Sequence, residues 1–150
     1  MGFNIVLIEP EIPMNTGNIG RLSLASGSDL HLVKPFGFEL SDSRLKRAGL
    51  DYWKHISVHI YENVEAFFSI NKNKNMVFLS SSGEQNYCTI AYKDDMFFIF
   101  GKESAGLSKN IIDENSGKTY KIPIYSSYVR SLNLANAVSI VVYDGLRSIS

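Results

Sequence analysis

The sequence has very little cysteine: Cys88 is the only one among 150 residues. A lone cysteine excludes an internal disulfide and fits a protein that stays in a reducing compartment. Long apolar runs are also missing, since none approaches the roughly 20 residues that a membrane-spanning helix needs. The opening segment MGFNIVLIEPEIP has neither the basic start nor the long apolar stretch of a signal peptide. We therefore expect a cytoplasmic protein that makes no membrane contact.

An excess of charge of either sign is missing too, because 15 Lys and Arg residues balance 15 Asp and Glu residues. Proteins that bind nucleic acid often carry a basic excess, so the overall charge argues mildly against that class. The charges are unevenly spread, however, and basic side chains outnumber acidic ones over residues 34–54. Such a patch can bind phosphate on a neutral protein, or it can be an ordinary solvated surface.

Short apolar runs rich in β-branched and aromatic residues recur along the chain, as strands do. They occupy 3–8, 30–33, 56–60, 76–80, 96–100 and 120–124. Segments compatible with helices lie at 17–26, 42–48, 62–70, 106–114 and 131–149. This alternation predicts an α/β protein with a mostly parallel sheet and helices on both faces, folded as one domain over residues 1–150.

The segment 131–149 carries two apolar stripes, whereas a surface helix normally has one. The first stripe is Leu132, Ala135, Val138, Val142, Leu146 and Ile149, and the second is Leu134, Ala137 and Val141. One stripe is expected to pack on the sheet. The other would pack on a second subunit or inside the chain's own core.

Three polar stretches each follow a predicted strand: NTGNIGR at 15–21, FGKESAGL at 100–107 and IPIYSSYVRSLNLANA at 122–137. The first has the glycines and helix start of an anion site. Its spacing matches neither the dinucleotide fingerprint nor the phosphate loop, so its polar residues could simply cap a helix that starts near Gly17. Ligands of parallel α/β sheets lie beyond the carboxyl ends of the strands. We therefore expect the three stretches to form one site.

In order, these stretches resemble motifs one, two and three of the SPOUT methyltransferases. Nearly the whole chain, including EPEIP at 9–13 and RLKRAGLDYW at 44–53, resembles the small tRNA wobble-nucleotide 2′-O-methyltransferases of the TrmL (YibK) type. The resemblance implies an α/β fold with a deep C-terminal trefoil knot, an S-adenosylmethionine site in that knot, a homodimer and no metal. It also implies methylation of the wobble nucleotide, position 34, of a tRNA, with a leucine tRNA as the expected substrate.

Two alternatives to that activity stay open. The chain could be a knotted 2′-O-methyltransferase of another RNA, such as rRNA, or a nucleotide-binding module without catalysis. An arginine in motif one together with intact second and third motifs favours an enzyme over a binding module.

The resemblance assigns five residues to the cofactor: Leu79, Gly101, Ile122, Ser131 and Leu132. Backbone groups at the strand ends would contact the edge of the adenine, while the three apolar side chains would enclose its ring. Core packing is the alternative for those apolar side chains, because most buried Leu and Ile residues belong to a core.

Arg21 falls on the arginine of motif one. Since a guanidinium stays protonated, we expect it to hold the adjacent phosphate and the 2′-oxygen by its planar donors; the alternative is a salt bridge to Glu9 or Glu11. Asn15 would shape the same loop. Glu103 would orient Arg21, accept a proton, or cap the helix that follows it.

Residues expected to contact the anticodon stem-loop of the tRNA are Arg44, Lys46, Arg47, Tyr52 and Arg130. The basic side chains would meet phosphates, and Tyr52 or Trp53 would stack on a base. Alternatively, Tyr52 and Trp53 fill the dimer interface. His55 and His59 lie in a predicted strand region without a third ligand, so no metal is expected.

The chain departs from the family pattern at two places. Family members often have proline where this chain has Lys102. The loop YSSYVR at 125–130 is one residue longer than usual and lacks the proline often found there. Both departures adjoin the expected cofactor site.

Overall fold

The computed structural model describes residues 2–48 and 50–150. The strands are β1 (Asn4–Ile8), β2 (Asp29–Val33), β3 (Val58–Tyr61), β4 (Met76–Leu79), β5 (Gln85–Asn86), β6 (Phe97–Phe100) and β7 (Thr119–Lys121). The α-helices are α1 (Pro13–Ala25), α2 (Ser43–Ala48), α3 (Val64–Ile70), α4 (Lys109–Glu114) and α5 (Leu134–Ile149). Two 3-10 helices span Leu50–His55 and Tyr87–Thr89.

The seven strands form one sheet in the order β3-β2-β1-β6-β4-β7-β5, and every neighbouring pair is parallel. This confirms the predicted α/β class. The sequence prediction missed β5, because a two-residue strand of glutamine and asparagine has no apolar run. Strand pairing does not test the trefoil knot, which stays a prediction.

Alternate residues of the strands face two separate apolar cores. In β1, Ile5 and Leu7 pack in one core with Ile19 of α1 and the valines of α5. The intervening Val6 and Ile8 pack in the other core, together with residues of α3 and α4. Helices therefore cover both faces of the sheet, as the apolar runs predicted.

Helix α1 begins at Pro13. The sequence had suggested a start near Gly17. Proline suits the first position of a helix because the missing N–H would have had no partner there. Further along α1, a Cβ on Gly20 would lie 2.7 Å from the ring of Trp53 and 2.9 Å from Ile56. This glycine therefore lets Trp53 pack closely on α1, where it is half-buried against the core.

Helix α5 buries residues of both predicted stripes within the chain itself. Val138 and Val142 of one stripe and Val141 of the other have no exposed surface. The helix begins at Leu134, not at 131, because the side chain of Asn133 caps it by accepting a hydrogen bond from the Asn136 N–H (3.1 Å). The apolar side chains that α5 leaves exposed include Ile140 and Tyr143, and the homodimer expected through this helix stays a prediction.

Candidate active site

A cavity of about 620 Å³ lies beyond the carboxyl ends of β1, β6, β4 and β7, which are neighbours in the sheet. Strand order reverses direction between β1 and β6, the kind of position where open α/β sheets bind ligands. The lining of the cavity includes Ile12 and Asn15, residues 100–107, and Ile122 with residues 130–134. The three polar stretches therefore converge, as expected. The volume is in the range of small-molecule sites.

A chain of hydrogen bonds ties the three stretches together. The side-chain amide of Asn15 donates to Oε2 of Glu103 (3.2 Å). The side-chain amide of Asn133 donates in turn to Oδ1 of Asn15 (3.1 Å). Asn15 is buried, whereas Glu103 is half-buried and Asn133 is exposed, so the bridge joins sequence-distant segments at the partly exposed edge of the cavity. Asn133 thus caps α5 and also joins the third stretch to the first.

Glu103 caps the N-terminus of α1. Its carboxylate accepts the backbone N–H groups of Glu11 (2.8 Å) and Ile12 (2.9 Å), and Ile12 has no capping side chain of its own. The expectation that Glu103 caps the following helix is wrong, because α4 is capped by Ser108. Its expected roles toward Arg21 or a proton stay predictions, with both oxygens already accepting hydrogen bonds.

Glu11 and Lys102 complete a clamp between the same two loops. The Glu11 carboxylate accepts hydrogen bonds from the backbone N–H (2.8 Å) and the hydroxyl (3.0 Å) of Ser104. These bonds hold the pKa of the Glu11 carboxyl below its usual value, and the bond from the backbone N–H has the larger effect. Lys102 places its ammonium 3.5 Å from the carboxylate of Glu9. This lysine thus adds an ion pair to the clamp.

The turn after β6 admits only glycine at its first position. A Cβ on Gly101 would lie 2.0 Å from the carbonyl carbon of Gly106 and 2.2 Å from the nitrogen of Leu107. Gly106 itself has a φ of 69°, and its N–H donates to the carbonyl of Lys102 (2.8 Å). The tight turn brings bare backbone to the wall of the cavity.

All five residues expected to hold the cofactor line this cavity: Leu79, Gly101, Ile122, Ser131 and Leu132. Leu79 also belongs to the buried core, so for this residue core packing and cavity lining coincide. The lining also includes residues 80–82, a serine run after β4 that the sequence analysis did not single out. The sequence contained a signal for this part of the lining, because the serines follow a buried apolar run in the same way as the other polar stretches follow theirs.

Arg21 is not among the residues that line the cavity. Its guanidinium carbon lies 5.3 Å from the centre of the Tyr52 ring, a cation–π arrangement. At 1.5 Å per residue, Arg21 lies about 9 Å further along the axis of α1 than Asn15. The alternative of a salt bridge to Glu9 or Glu11 is wrong, since no ion pair between described residues joins Arg21 to either carboxylate.

The residues expected to contact RNA fall into two groups. Arg130 lines the cavity, whereas Arg44, Lys46, Arg47 and Tyr52 belong to α2 and the 3-10 helix after it. Arg44 binds both carboxylate oxygens of Asp42, at 3.2 and 3.0 Å. Lys46 and Arg47 are exposed, and none of the ion pairs between described residues includes them. Gly49, within the expected RNA segment, lies outside the described residues.

Of the pair His55 and His59, the second has partners of its own. His59 bonds Asp29 (3.1 Å) and stacks on His31. Within residues 2–48 and 50–150, no group of three or more His, Cys, Asp and Glu side chains is arranged to hold a metal. In the same part of the chain, the helices are too short or too polar to cross a bilayer.

Comparison with known proteins shows close relatives over almost the whole chain. The model of the SpoU rRNA methylase family matches residues 2–143. A tRNA (cytidine(34)-2′-O)-methyltransferase from Methylovorus glucosotrophus is 42% identical over 97% of this chain and 94% of its own length.

Solved structures agree with this result. One, described as "Structural insights into the 2-OH methylation of C/U34 on tRNA", aligns with a TM-score of 0.93 at 38% identity, covering 98% of this chain and 95% of its own. An AdoMet-bound rRNA methyltransferase from Sinorhizobium meliloti aligns with a TM-score of 0.87 at 26% identity, covering 99% of this chain and 57% of its own. The chain therefore belongs to the SpoU rRNA methylase family.

Proposed function

We propose that this protein transfers a methyl group from S-adenosylmethionine to the ribose 2′-hydroxyl of the wobble nucleotide, position 34, of a tRNA. A relative that shares 42% identity bears the name of this activity, and so does the description of a structure at 38% identity. The observation that carries the proposal is the cavity in which Glu103, Asn15 and Asn133 are joined by hydrogen bonds. Cytidine or uridine at position 34 of a leucine tRNA is the substrate we favour.

The lining of the cavity fits a nucleoside-containing cofactor. Leu79, Ile122 and Leu132 offer apolar surface to a planar base, and the turn at Gly101 offers backbone hydrogen-bonding groups. When bound, the cofactor supplies a methyl group that is already activated. The protein's contribution is then mainly to bring the ribose hydroxyl to that methyl group in the correct orientation.

The chain's own residues divide this work. Glu103 and Asn15 hold the loops of motifs one and two against each other, which fixes the cavity wall. Arg21, with its permanently charged guanidinium, binds the phosphate and 2′-oxygen of the target nucleotide and does not act as a base. Tyr52 holds that guanidinium by its ring face.

We further propose a cytoplasmic homodimer without a resident metal. Ile140 and Tyr143 are exposed on α5, and burying such side chains in a subunit interface would stabilise a dimer. Sedimentation at low protein concentration tests this, and an active monomer would contradict it.

The decisive experiment supplies the protein with radiolabelled S-adenosylmethionine and bulk tRNA from a strain that lacks the modification. Digestion and mapping should place the label on the 2′-oxygen of nucleotide 34. Arg21→Ala should keep its cofactor Kd but lose most transfer, while normal transfer by this variant would refute the role of Arg21. Tight cofactor binding with no labelled RNA would favour a binding module.

A second candidate substrate is rRNA, favoured by the family description and by the rRNA methyltransferase from Sinorhizobium meliloti. The same assay with ribosomal subunits separates the two. Label in rRNA and none in tRNA would replace our proposal by this one.

A further inference from the structure

The loop between the third-motif strand and α5 exposes two tyrosines almost completely. Tyr125 and Tyr128 have 95% and 97% of their surface exposed, more than any other large apolar side chain of the described residues. Most tyrosines bury at least part of the ring. Two freely exposed rings three residues apart therefore call for a partner, and neither was absorbed by the catalytic or cofactor assignments.

This loop, residues 125–129 and here called the rim loop, stands at the mouth of the cavity. The chain lines the cavity up to Ile124 and again from Arg130, while the rim loop between them does not line it. A turn orders the loop, because the hydroxyl of Ser126 accepts the N–H of Tyr128 (3.1 Å). Both tyrosines therefore belong to a loop that borders the cavity on each side but does not line it.

The charge next to the rings indicates the kind of partner. Arg130 is exposed at the cavity edge, and no ion pair between described residues includes it. Aromatic rings that accept bases by stacking, together with a cation that meets phosphate, are the combination by which proteins bind single-stranded RNA. An acidic or apolar partner would match only one half of this surface.

We propose that Tyr125 and Tyr128 stack on unpaired bases next to the target nucleotide, with Arg130 on the adjoining phosphate. The inference rests on the proposed function, since it assumes an RNA loop at the cavity. It places RNA recognition on the rim loop, in addition to the basic segment after β2. The rings raise affinity and fix the register of the loop, while the transfer step depends on other residues.

The test compares alanine and phenylalanine at each position. Tyr125→Ala, Tyr128→Ala and the double variant should raise both the Kd and the KM for a synthetic tRNA anticodon stem-loop. The loss of one stacked base corresponds to a factor between about 5 and 150. The value of kcat at saturating RNA and the Kd for S-adenosylmethionine should not change. Tyr125→Phe and Tyr128→Phe keep the ring face and should restore RNA affinity.

Ile70→Ala serves as the matched control, because Ile70 is 69% exposed at the end of α3. It removes a similar exposed apolar group and should leave all RNA constants unchanged. A stem-loop with 2-aminopurine on the 3′ side of the target gives an independent readout. Its fluorescence should fall on binding the wild type and fall less on binding the double alanine variant.

The outcomes separate this inference from the proposed function. If the wild type methylates the stem-loop but the double alanine variant binds it with the same Kd, the proposed function stands and the stacking inference is wrong. If the wild type binds the stem-loop without methylating it and the double alanine variant binds it more weakly, the stacking inference stands and the proposed function is wrong. If the wild type neither binds nor methylates the stem-loop, both are wrong. Dissociation of a dimer by the double variant would assign the rings to a subunit contact and overturn the inference.

Discussion

Glu103→Gln keeps the length and shape of the side chain but removes its charge and one acceptor oxygen. In the native protein, three donors point at this carboxylate: the N–H groups of Glu11 and Ile12 and the amide of Asn15. A glutamine can keep one oxygen toward these donors, while its NH₂ group faces at least one donor instead of accepting from it. The substitution therefore leaves the start of α1 partly uncapped.

The size of the effect follows from these bonds. A hydrogen bond to a charged group contributes about 1.5–3 kcal/mol, and a negative charge near a helix N-terminus contributes about 0.3–1 kcal/mol. Partial exposure of the site lets water replace some of the loss, so we expect Glu103→Gln to lower the free energy of unfolding by about 2 kcal/mol. Glu103→Ala should cost about 3 kcal/mol, because no acceptor remains.

Urea unfolding at fixed pH measures this change directly. With a slope of about 2 kcal/mol per molar urea, the midpoint should fall by about 1 M for Glu103→Gln. Glu39→Gln is the control, since Glu39 is exposed and its change of charge should leave the midpoint within about 0.3 M. Methyl transfer should be assayed well below the midpoint, where both variants are folded.

A capping role requires that folded Glu103→Gln retains most of its transfer rate, with a raised cofactor Kd as the main defect. An unchanged urea midpoint together with a transfer rate lowered by 100-fold or more would refute this reasoning. It would show that Glu103 acts on the reacting groups and that its bonds to α1 contribute little to stability.

Three further predictions concern the cavity, the guanidinium and the buried histidine. Gly101→Ala should destabilise the fold by about 1–3 kcal/mol and weaken cofactor binding in calorimetry, because its Cβ would overlap backbone of Gly106 and Leu107; an unchanged cofactor Kd would contradict this. Tyr52→Ala should lower kcat about two- to fivefold through the loss of an exposed cation–π contact, and Tyr52→Phe should restore it, whereas equal defects in both would exclude ring stacking. Burial, and then the charge of His59, lower the pKa of His31 to about 4. Because the unfolded chain takes up this proton near pH 6.5 and the folded chain does not, stability should fall by about 3 kcal/mol between pH 6.5 and pH 4. His31→Gln should remove that component of the pH dependence of urea unfolding, and an identical pH profile for the variant would refute it.

The sequence predicted the sheet and the location of the site because both depend on patterns along the chain. Apolar runs located six strands, and the rule that parallel sheets bind ligands at their carboxyl edge brought the polar stretches together. Pro13 was a local signal for the start of α1 that the prediction overlooked. The cap comes from Glu103, whose bonds to Glu11 and Ile12 span 92 and 91 positions, and local propensity contains no information about such a cap.

The position of Arg21 could not be predicted for a similar reason. The resemblance to motif one singles out Arg21, but the direction of its side chain depends on where the 3-10 helix after α2 places Tyr52. Trp53 shows the same dependence, because its packing against a glycine of α1 is set by the placement of the 3-10 helix, while its expected roles in RNA stacking or a dimer interface stay predictions. In both cases the deciding contact joins segments whose relative placement is set by tertiary packing.

The bridge from Asn15 to Asn133 spans 118 positions of the chain. A ribosome making this protein must therefore synthesise most of the polypeptide before the ligand pocket can close. Contacts of such long sequence separation form late and slowly in folding. Nascent or truncated chains would thus lack the closed pocket, whereas a ligand of the finished protein adds stability that grows with the logarithm of the ligand concentration. A ligand of this pocket would in this way stabilise only chains in which both Asn15 and Asn133 have been synthesised and brought together.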